Sequence, residues 1–123
     1  MSVNPKKTMG NWGETQAESY LLSKGYDILE RNFFTRYGEI DLIAKDGDEL
    51  VFIEVKTRSS NQFGYPEESV TVKKQDHLKK AAEVYLQSHY QEMITWRIDI
   101  ISISRYTEKP DCFDLVHLED AVH

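Results

Sequence analysis

The chain has 123 residues, of which 40% are hydrophobic and 29% charged, a composition typical of one globular domain with a buried core. Its net charge of −6 argues against a general nucleic-acid-binding protein, and its single cysteine, Cys112, excludes a disulfide framework and a cysteine zinc site. No apolar run is long enough to span a membrane and no secretory signal is visible, so a reducing cytoplasm is the expected location. A single domain over residues 1–123 is predicted, with flexible tails at residues 1–10 and 119–123.

Hydrophobic spacing and turn residues predict the secondary structure. Gly25 is suited to the left-handed position that ends a helix, Asp46-Gly47 is a strong hairpin-turn signal, and Thr71 can cap a helix. The predicted elements are a helix over 11–24, a strand over 26–35, hairpin strands over 40–44 and 50–57, a loop over 59–69, a helix from 71 to about 89, a strand over 95–104 and a short last strand over 113–118. The order α-β-β-β-α-β predicts an α/β fold in which helices cover a mixed sheet.

Four polar side chains share one face of the predicted hairpin, because strand side chains alternate between faces. They are Glu39, Asp41, Glu54 and Lys56. The opposite face of the first hairpin strand is expected to carry Ile40, Leu42 and Ala44. A turn centred on residues 46–47 places Asp41 opposite Phe52, and therefore diagonal to Glu54 at about 7–8 Å between backbones. Like charges this close destabilise a sheet unless a cation neutralises them, and a hard divalent cation with oxygen ligands would do so. The alternative is a solvated face with a cross-strand salt bridge.

The first predicted helix carries a further acid. Glu14, Ala17 and Leu21 recur at helical spacing, so Glu14 lies on or beside the stripe that faces the protein. From there its carboxylate can join the acids of the hairpin. Asn11 followed by Glu14 also resembles a capping box, in which Glu14 would bond backbone N–H groups at the start of the helix. The spacing alone does not choose between these interpretations.

The chain resembles a known family along most of its length. The segment GEIDLIAKDGDELVFIEVKTRSSNQFGYPEESV, with GETQAESYLLSKGYDILERN before it and WRIDIISIS after it, is similar to the YraN-like family of small bacterial proteins. That family is grouped with the PD-(D/E)XK nuclease superfamily, near the archaeal Holliday-junction resolvases. The resemblance covers residues 11–118, and it implies a restriction-endonuclease-like fold with a metal-dependent phosphodiesterase site.

The resemblance also implies which residues form that site. Asp41 matches the first acid of the superfamily, and Glu54 and Lys56 match its (D/E)xK motif. Glu14 matches the helix glutamate of the resolvase branch, whereas Ile40 stands where the superfamily name has proline. The implied ligands of Mg²⁺ or Mn²⁺ are Glu14, Asp41, Glu54 and the carbonyl of Val55. The implied catalytic residues are Asp41, Glu54 and Lys56.

Two of these residues keep alternative interpretations. Lys56 would orient the attacking water or offset the charge that develops on the phosphate, and its expected protonation among carboxylates favours the second role. Glu39 is either a group that supports the metal ligands or a solvated neighbour of the site.

A modest positive band lies within this acidic chain, since residues 55–80 carry six basic and three acidic groups. The band is interpreted either as the solvated start of a helix or as a surface that contacts phosphates without reading sequence. The candidate DNA contacts are Arg58, Lys73, Lys74, Gln75, Lys79 and Lys80; Gln75 is alternatively an ordinary surface residue. Two functions therefore remain. The first is a metal-dependent endonuclease acting on DNA, branched DNA included, with a homodimer as one way to build a larger basic surface. The second is a non-catalytic nucleic-acid-binding or protein-interaction module.

Overall fold

The computed structural model describes residues 5–59, 70–109 and 111–123, with side chains described from Gly10 onward. One five-stranded mixed sheet carries a helix on each face. The elements are α1 (Pro5–Ser23), β1 (Asp27–Thr35), β2 (Gly38–Asp46), β3 (Glu49–Ser59), α2 (Val72–His89), β4 (Trp96–Arg105) and β5 (Phe113–Leu118). This arrangement confirms the restriction-endonuclease-like α/β fold expected from the sequence, including the short last strand. The predicted loop over 59–69 lies, apart from Ser59, outside the described residues.

The strands lie in the order β1-β2-β3-β4-β5. Strands β3 and β4 are parallel, and the other three neighbouring pairs are antiparallel. A parallel pair needs a long crossover, and α2 lies in the segment that connects these two strands. The sheet separates two buried apolar clusters, in which Leu21 of α1 and Leu78 of α2 are representative members. Neither described helix combines the length and the apolar character that a membrane crossing requires.

Helix α1 begins earlier than the sequence predicted, at Pro5 rather than Asn11. Asn11 lies inside the helix, where its carbonyl accepts a hydrogen bond from Thr15 Oγ1 at 2.9 Å. The capping-box interpretation of Glu14 is therefore wrong, because Glu14 is not in the first turn. The helix ends as predicted, with Gly25 in the left-handed region at a φ of +89°.

The two predicted tails differ in what the structure describes. Residues 5–10 belong to α1, and residues 1–4 lie outside the described part of the chain. At the other end, Val122 is 5% exposed within the cluster beneath α2, and Ala121 N–H donates to Ile98 O at 2.8 Å.

The β2–β3 hairpin has a different register from the predicted one. Asp46 pairs with Glu49, so the turn residues are Gly47 and Asp48, and Gly47 has a φ of +63°. A glycine with positive φ at the first central position is typical of a type II′ turn, whereas the sequence prediction centred the turn one residue earlier. The prediction that Asp41 lies opposite Phe52 is thus wrong by two residues. A register shift of two does not by itself exchange the two faces of a strand.

Side-chain alternation breaks near the middle of β2. Ile40 packs in the cluster beneath α2, whereas Leu42 and Ala44 pack in the cluster beneath α1. The prediction that Ile40 shares a face with the other two is therefore wrong. The break lies across from Asn32 of β1, which has a φ of +57° between the residues paired with Ile40 and Leu42. A left-handed residue turns the strand locally, and the polar positions of β1 and β2 meet at this point.

A buried polar network joins β4 to β5 and to the C-terminal residues. Asp99 is fully buried, and its carboxylate accepts hydrogen bonds from Arg97 Nε at 3.0 Å and from the backbone N–H of Asp120 at 2.8 Å. His117 Nε2 lies 2.7 Å from the other Asp99 oxygen. Arg97 and Asp99, two residues apart on β4, thus form a salt bridge. Arg97 also bonds Tyr26 Oη at 2.8 Å, which connects the network to the loop after α1.

Candidate metal centre

Three carboxylates, one from α1 and two from the first residues of β2, lie close together. Oxygen atoms of Glu14, Glu39 and Asp41 all lie within 4.8 Å of one another, and Glu14 is buried. These residues are called the acid cluster below. Ligand distances of about 2.0–2.6 Å place two oxygens on opposite sides of a cation about 4–5 Å apart, which matches this spacing. The acid cluster is thus of a size that one divalent cation can bridge.

A close contact between α1 and β3 sets the position of Glu14. Gly13 is buried, and a Cβ atom at this residue would lie 1.9 Å from Thr57 Oγ1 and 3.1 Å from Thr57 Cβ. Only a residue without a side chain lets the helix approach the strand this closely. Because Glu14 is the next residue, this contact brings its carboxylate to the sheet.

Asp41 is held by the backbone of the neighbouring strand. The pairing of β2 with β3 extends as far as Leu42 and Ile53. Beyond this pair, the N–H of Val55 donates to Asp41 Oδ2 at 2.7 Å. The carboxylate thus satisfies a backbone donor that the ladder no longer pairs. This bond fixes the Asp41 side chain in the direction of the acid cluster. The carbonyl of Val55 stays a prediction as a metal ligand.

Glu54 is 4% exposed, and its charge raises the pKa of two members of the acid cluster, Asp41 and Glu39. Its Oε1 atom lies 3.5 Å from Lys56 Nζ and 3.7 Å from Lys74 Nζ. Its Oε2 atom is buried and has no hydrogen-bond partner among the residues that the structure describes. A buried carboxylate oxygen without a partner is unfavourable, and a cation or a donated hydrogen bond would relieve it. Glu54 therefore has one oxygen held by lysines and one oxygen available to a ligand.

Burial and mutual repulsion oppose ionisation of these acids. Burial, followed by the charge of Glu54, raises the pKa of Asp41 from 3.8 to about 8, although the Val55 N–H opposes the shift. Burial raises the pKa of Glu14 against the opposing charge of Arg31. Burial together with the charges of Glu14 and Glu54 raises the pKa of Glu39. Without a cation the site therefore retains a proton at neutral pH, and a cation would favour its release.

Two residues of β1 contact the acids and were not identified from the sequence. Arg31 lies 3.7 Å from Glu14 Oε2 and 3.3 Å from Glu18 Oε2, so it anchors α1 to the strand. The hydrogen bonds of the Asn32 amide are satisfied when its nitrogen faces the acids. This nitrogen then donates to Glu39 and lies 3.2 Å from Glu14 Oε1. An asparagine inside a predicted strand is uncommon, and this was the available signal.

The candidate DNA contacts occupy several environments. Lys74 belongs to the metal centre through Glu54, and Lys73 is exposed near it at the start of α2. Lys79 Nζ donates to the backbone carbonyl of His123 at 2.9 Å, and Lys80 pairs with Asp76 at 3.0 Å. The two remaining candidates bond within the chain, Arg58 to Ser102 Oγ of β4 at 3.2 Å and Gln75 to Val70 O at 3.1 Å. Binding of DNA by these residues stays a prediction.

The residues present fit a hard divalent cation. The donors are carboxylate oxygens, which Mg²⁺ and Mn²⁺ prefer, and Glu54 adds a buried oxygen without a described partner. An open cleft of about 580 Å³ borders the acid cluster at Glu14 and Glu39 and is lined further by Gly10, Asn11, Asn32 and Phe34. The arrangement can hold a cation beside an open cleft.

Comparison with known proteins places the chain among small bacterial proteins. The model of an uncharacterised protein family, UPF0102, matches residues 13–103. A UPF0102 protein of Syntrophomonas wolfei is 53% identical over 97 residues, which cover 79% of this chain and 84% of the relative. A UPF0102 protein of Caldanaerobacter subterraneus is 45% identical over 116 residues, covering 94% and 95% of the two chains. One of Carboxydothermus hydrogenoformans is 42% identical over 117 residues, covering 95% and 97%.

Proposed function

This chain belongs to the uncharacterised protein family UPF0102, and we propose that it is a metal-dependent endonuclease that hydrolyses phosphodiester bonds of DNA. The main support is the convergence of acids from α1, β2 and β3. Oxygens of Glu14, Glu39 and Asp41 lie within 4.8 Å of one another, and the adjacent Glu54 has a buried oxygen without a described partner. In a protein that only bound phosphates, such a group of acids would weaken the binding by repulsion, unless a cation neutralised their charge.

The residues of the chain have separate tasks in this proposal. The acid cluster and Glu54 would hold Mg²⁺ or Mn²⁺, while Arg31 and the Val55 N–H keep Glu14 and Asp41 in place. When bound, the cation lowers the pKa of water and offsets negative charge on the phosphate. Lys56, about one third exposed and 3.5 Å from Glu54, can place its ammonium group near the phosphate oxygens as their charge increases.

A non-catalytic module remains the second candidate. It is favoured by the net charge of −6 and by the engagement of Lys79, Lys80 and Arg58 in contacts within the chain. Such a module would bind nucleic acid or protein without hydrolysis. The DNA contacts of the first proposal, Lys73 and Lys74 included, would then have no part in cleavage.

Titration calorimetry with Mn²⁺, combined with a cleavage assay, separates the two candidates. The parent should bind Mn²⁺ and cut labelled DNA in its presence, whereas Asp41→Asn and Glu54→Gln should lose both properties. Asp48→Asn, at an exposed turn position, is the matched control for removal of one carboxylate. Absence of Mn²⁺ binding by the parent would contradict the nuclease proposal. Metal binding without cleavage of duplex, branched or single-stranded DNA would favour the module.

A further inference from the structure

Phe34 is an exposed aromatic residue at the cleft that borders the acid cluster. Its exposed fraction is 73%, and it lines the cleft together with Glu14 and Glu39. Isolated apolar residues on a surface are common and carry no meaning by themselves. Phe34 differs from such isolated residues because it lies beside the acids.

The register of β1 and β2 fixes that position. Phe34 is paired directly with Glu39, one of the three residues of the acid cluster. Side chains of directly opposed residues have Cβ atoms about 4.5–5.5 Å apart. Phe33 does not share this environment, because its ring packs against Tyr85 beneath α2 at 5.2 Å between centroids. The ring of Phe34 is therefore next to the group that would hold the cation, with its surface open to solvent.

Two cationic side chains lie near the turn that joins β1 to β2, just after Phe34. Arg36 Cζ lies 4.8 Å from the centroid of the Tyr37 ring, and Arg36 donates to Tyr37 Oη at 2.6 Å. Lys80 Nζ of α2 lies 5.7 Å from the same ring. In a chain with a net charge of −6, Arg36 lies two residues after Phe34, and Lys80, which also pairs with Asp76, approaches this turn from α2. Aromatic rings beside basic groups are the combination that binds unpaired nucleotides.

We propose that Phe34 stacks against an unpaired base adjacent to the phosphate held at the acid cluster, so that the preferred substrate carries an unpaired nucleotide at the cleavage position. The proposal rests on the nuclease function proposed above and names its substrate class. A base within continuous duplex is covered on both faces by its neighbours, so it cannot present a face to Phe34 unless it leaves the stack. Single strands and the unpaired arms of branched DNA offer such a face directly.

The test uses the full chain with Ca²⁺ in place of Mg²⁺ to suppress cutting. The probes are labelled duplexes that contain the fluorescent adenine analogue 2-aminopurine, either paired or in a short unpaired flap. The parent should quench the unpaired analogue and bind the flap more tightly than the duplex. Phe34→Ala should lose the quenching and bind the flap about 5- to 150-fold more weakly, and Phe34→Trp should restore both.

Control measurements separate this proposal from its premise. Met93→Ala removes another exposed apolar side chain and should behave as the parent. Phe34→Ala should keep the parent's Mn²⁺ affinity. Undiminished flap binding and quenching by Phe34→Ala, together with normal Mn²⁺ binding, would overturn only the stacking. A parent that forms dimers and a Phe34→Ala variant that is monomeric, with equal flap binding, would assign Phe34 to self-association and overturn the proposal. Failure of the parent to bind Mn²⁺ would contradict the nuclease function itself.

Discussion

Lys56 of β3 and Lys74 of α2 approach the same oxygen of one buried carboxylate, at 3.5 Å and 3.7 Å from Glu54 Oε1. Each lysine side chain is about one third exposed, whereas Glu54 is 5% exposed at its side chain. Strand β3 and the helix that follows it are thus joined through one acid. The other oxygen of Glu54 is buried and has no hydrogen-bond partner among the described residues.

This shared contact predicts non-additive effects on stability. Lys56→Ala or Lys74→Ala alone leaves Glu54 one cation, whereas the double variant leaves it buried without either. Removal of the first lysine also relieves the repulsion between the two. The double variant should therefore lose more unfolding free energy than the sum of the single variants, by on the order of 1 kcal/mol. Urea denaturation measures this, with Lys24→Ala in place of Lys74→Ala as the additive control. Additivity of both pairs would contradict the shared contact.

Lys56 should affect cleavage far more than metal binding. Its ammonium group is a neighbour of the acids, so its removal takes no ligand from the cation. Lys56→Ala is expected to keep Mn²⁺ affinity within a few-fold and to reduce cleavage by about 10²–10³-fold. Calorimetry and single-turnover cleavage measure the two properties. Unchanged cleavage would exclude a role for Lys56 in the transition state.

The raised pKa of Asp41 predicts a pH-dependent stability difference in the absence of metal. The folded chain keeps the Asp41 proton up to a pH of about 8, whereas the unfolded chain loses it near 3.8. Between these values the folded state binds more protons, so the stability of the parent falls as the pH rises. Asp41→Asn has no proton to lose at this position, so its stability does not fall with pH in this way, and its amide oxygen still accepts from the Val55 N–H. Its advantage over the parent should grow from pH 4 to pH 8, level off above, and amount to a few kcal/mol.

Thermal or urea unfolding in EDTA at several pH values checks this difference. Asp48→Asn serves as the control because Asp48 is an exposed turn residue. A difference between Asp41→Asn and the parent that is independent of pH would show that Asp41 is ionised in the folded chain without metal.

Metal binding should release a proton for the same reason. Near pH 7 the Asp41 carboxyl is protonated in the metal-free chain, and a bound cation requires the carboxylate. We expect about one proton to be released for each Mn²⁺ bound at pH 7, and a smaller number at pH 9. Calorimetric titrations in buffers of different ionisation enthalpy give this number directly. Asp41→Asn should abolish the heat of Mn²⁺ binding. A count of zero released protons for the parent at both pH values would contradict the protonation of Asp41 in the metal-free chain.

Gly13 should be essential to the placement of Glu14. A methyl group at residue 13 would overlap Thr57, so Gly13→Ala should move α1 away from β3 and reduce stability by about 1–3 kcal/mol. Mn²⁺ affinity should fall at least several-fold, because Glu14 moves with the helix. Gly10→Ala is the matched control, since nothing lies within 4 Å of its added Cβ. That variant should be about 0.5–1 kcal/mol more stable than the parent, because alanine is the better helix residue. Equal behaviour of the two variants would argue against the close contact.

The sequence predicted most of the fold because its signals are local. Gly25 ends α1 where expected, Thr71 caps α2 by accepting from Lys74 N–H, and the apolar runs give the strands their extents. The start of α1 was predicted too late. Residues 5–10 lack the apolar spacing on which the prediction depended, and a helix can extend beyond its buried face.

The candidate site was less predictable because it depends on exact positions across elements. The hairpin register turned on whether Gly47 takes the first or the second central place in its turn, and both are compatible with the sequence. The left-handed Asn32 reverses the alternation beside Asp41, so Ile40 changes sides. The periodicity of apolar residues in the sequence assumes regular alternation along a strand, so it does not predict such a reversal. The approach of Lys74 to Glu54 follows from how α2 packs, which the spacing of its apolar residues fixes only coarsely.

The single parallel pair of the sheet also affects how the molecule folds. Strands β1, β2 and β3 join through short turns, whereas β4 reaches β3 only after the chain from Ser59 to Trp96 has closed into a loop. Closing that loop has a larger entropic penalty and is the slower event. Glu14, Glu39 and Asp41 all precede the loop in sequence. We therefore expect the cation-binding carboxylates to assemble early in folding, before the second half of the sheet docks against them.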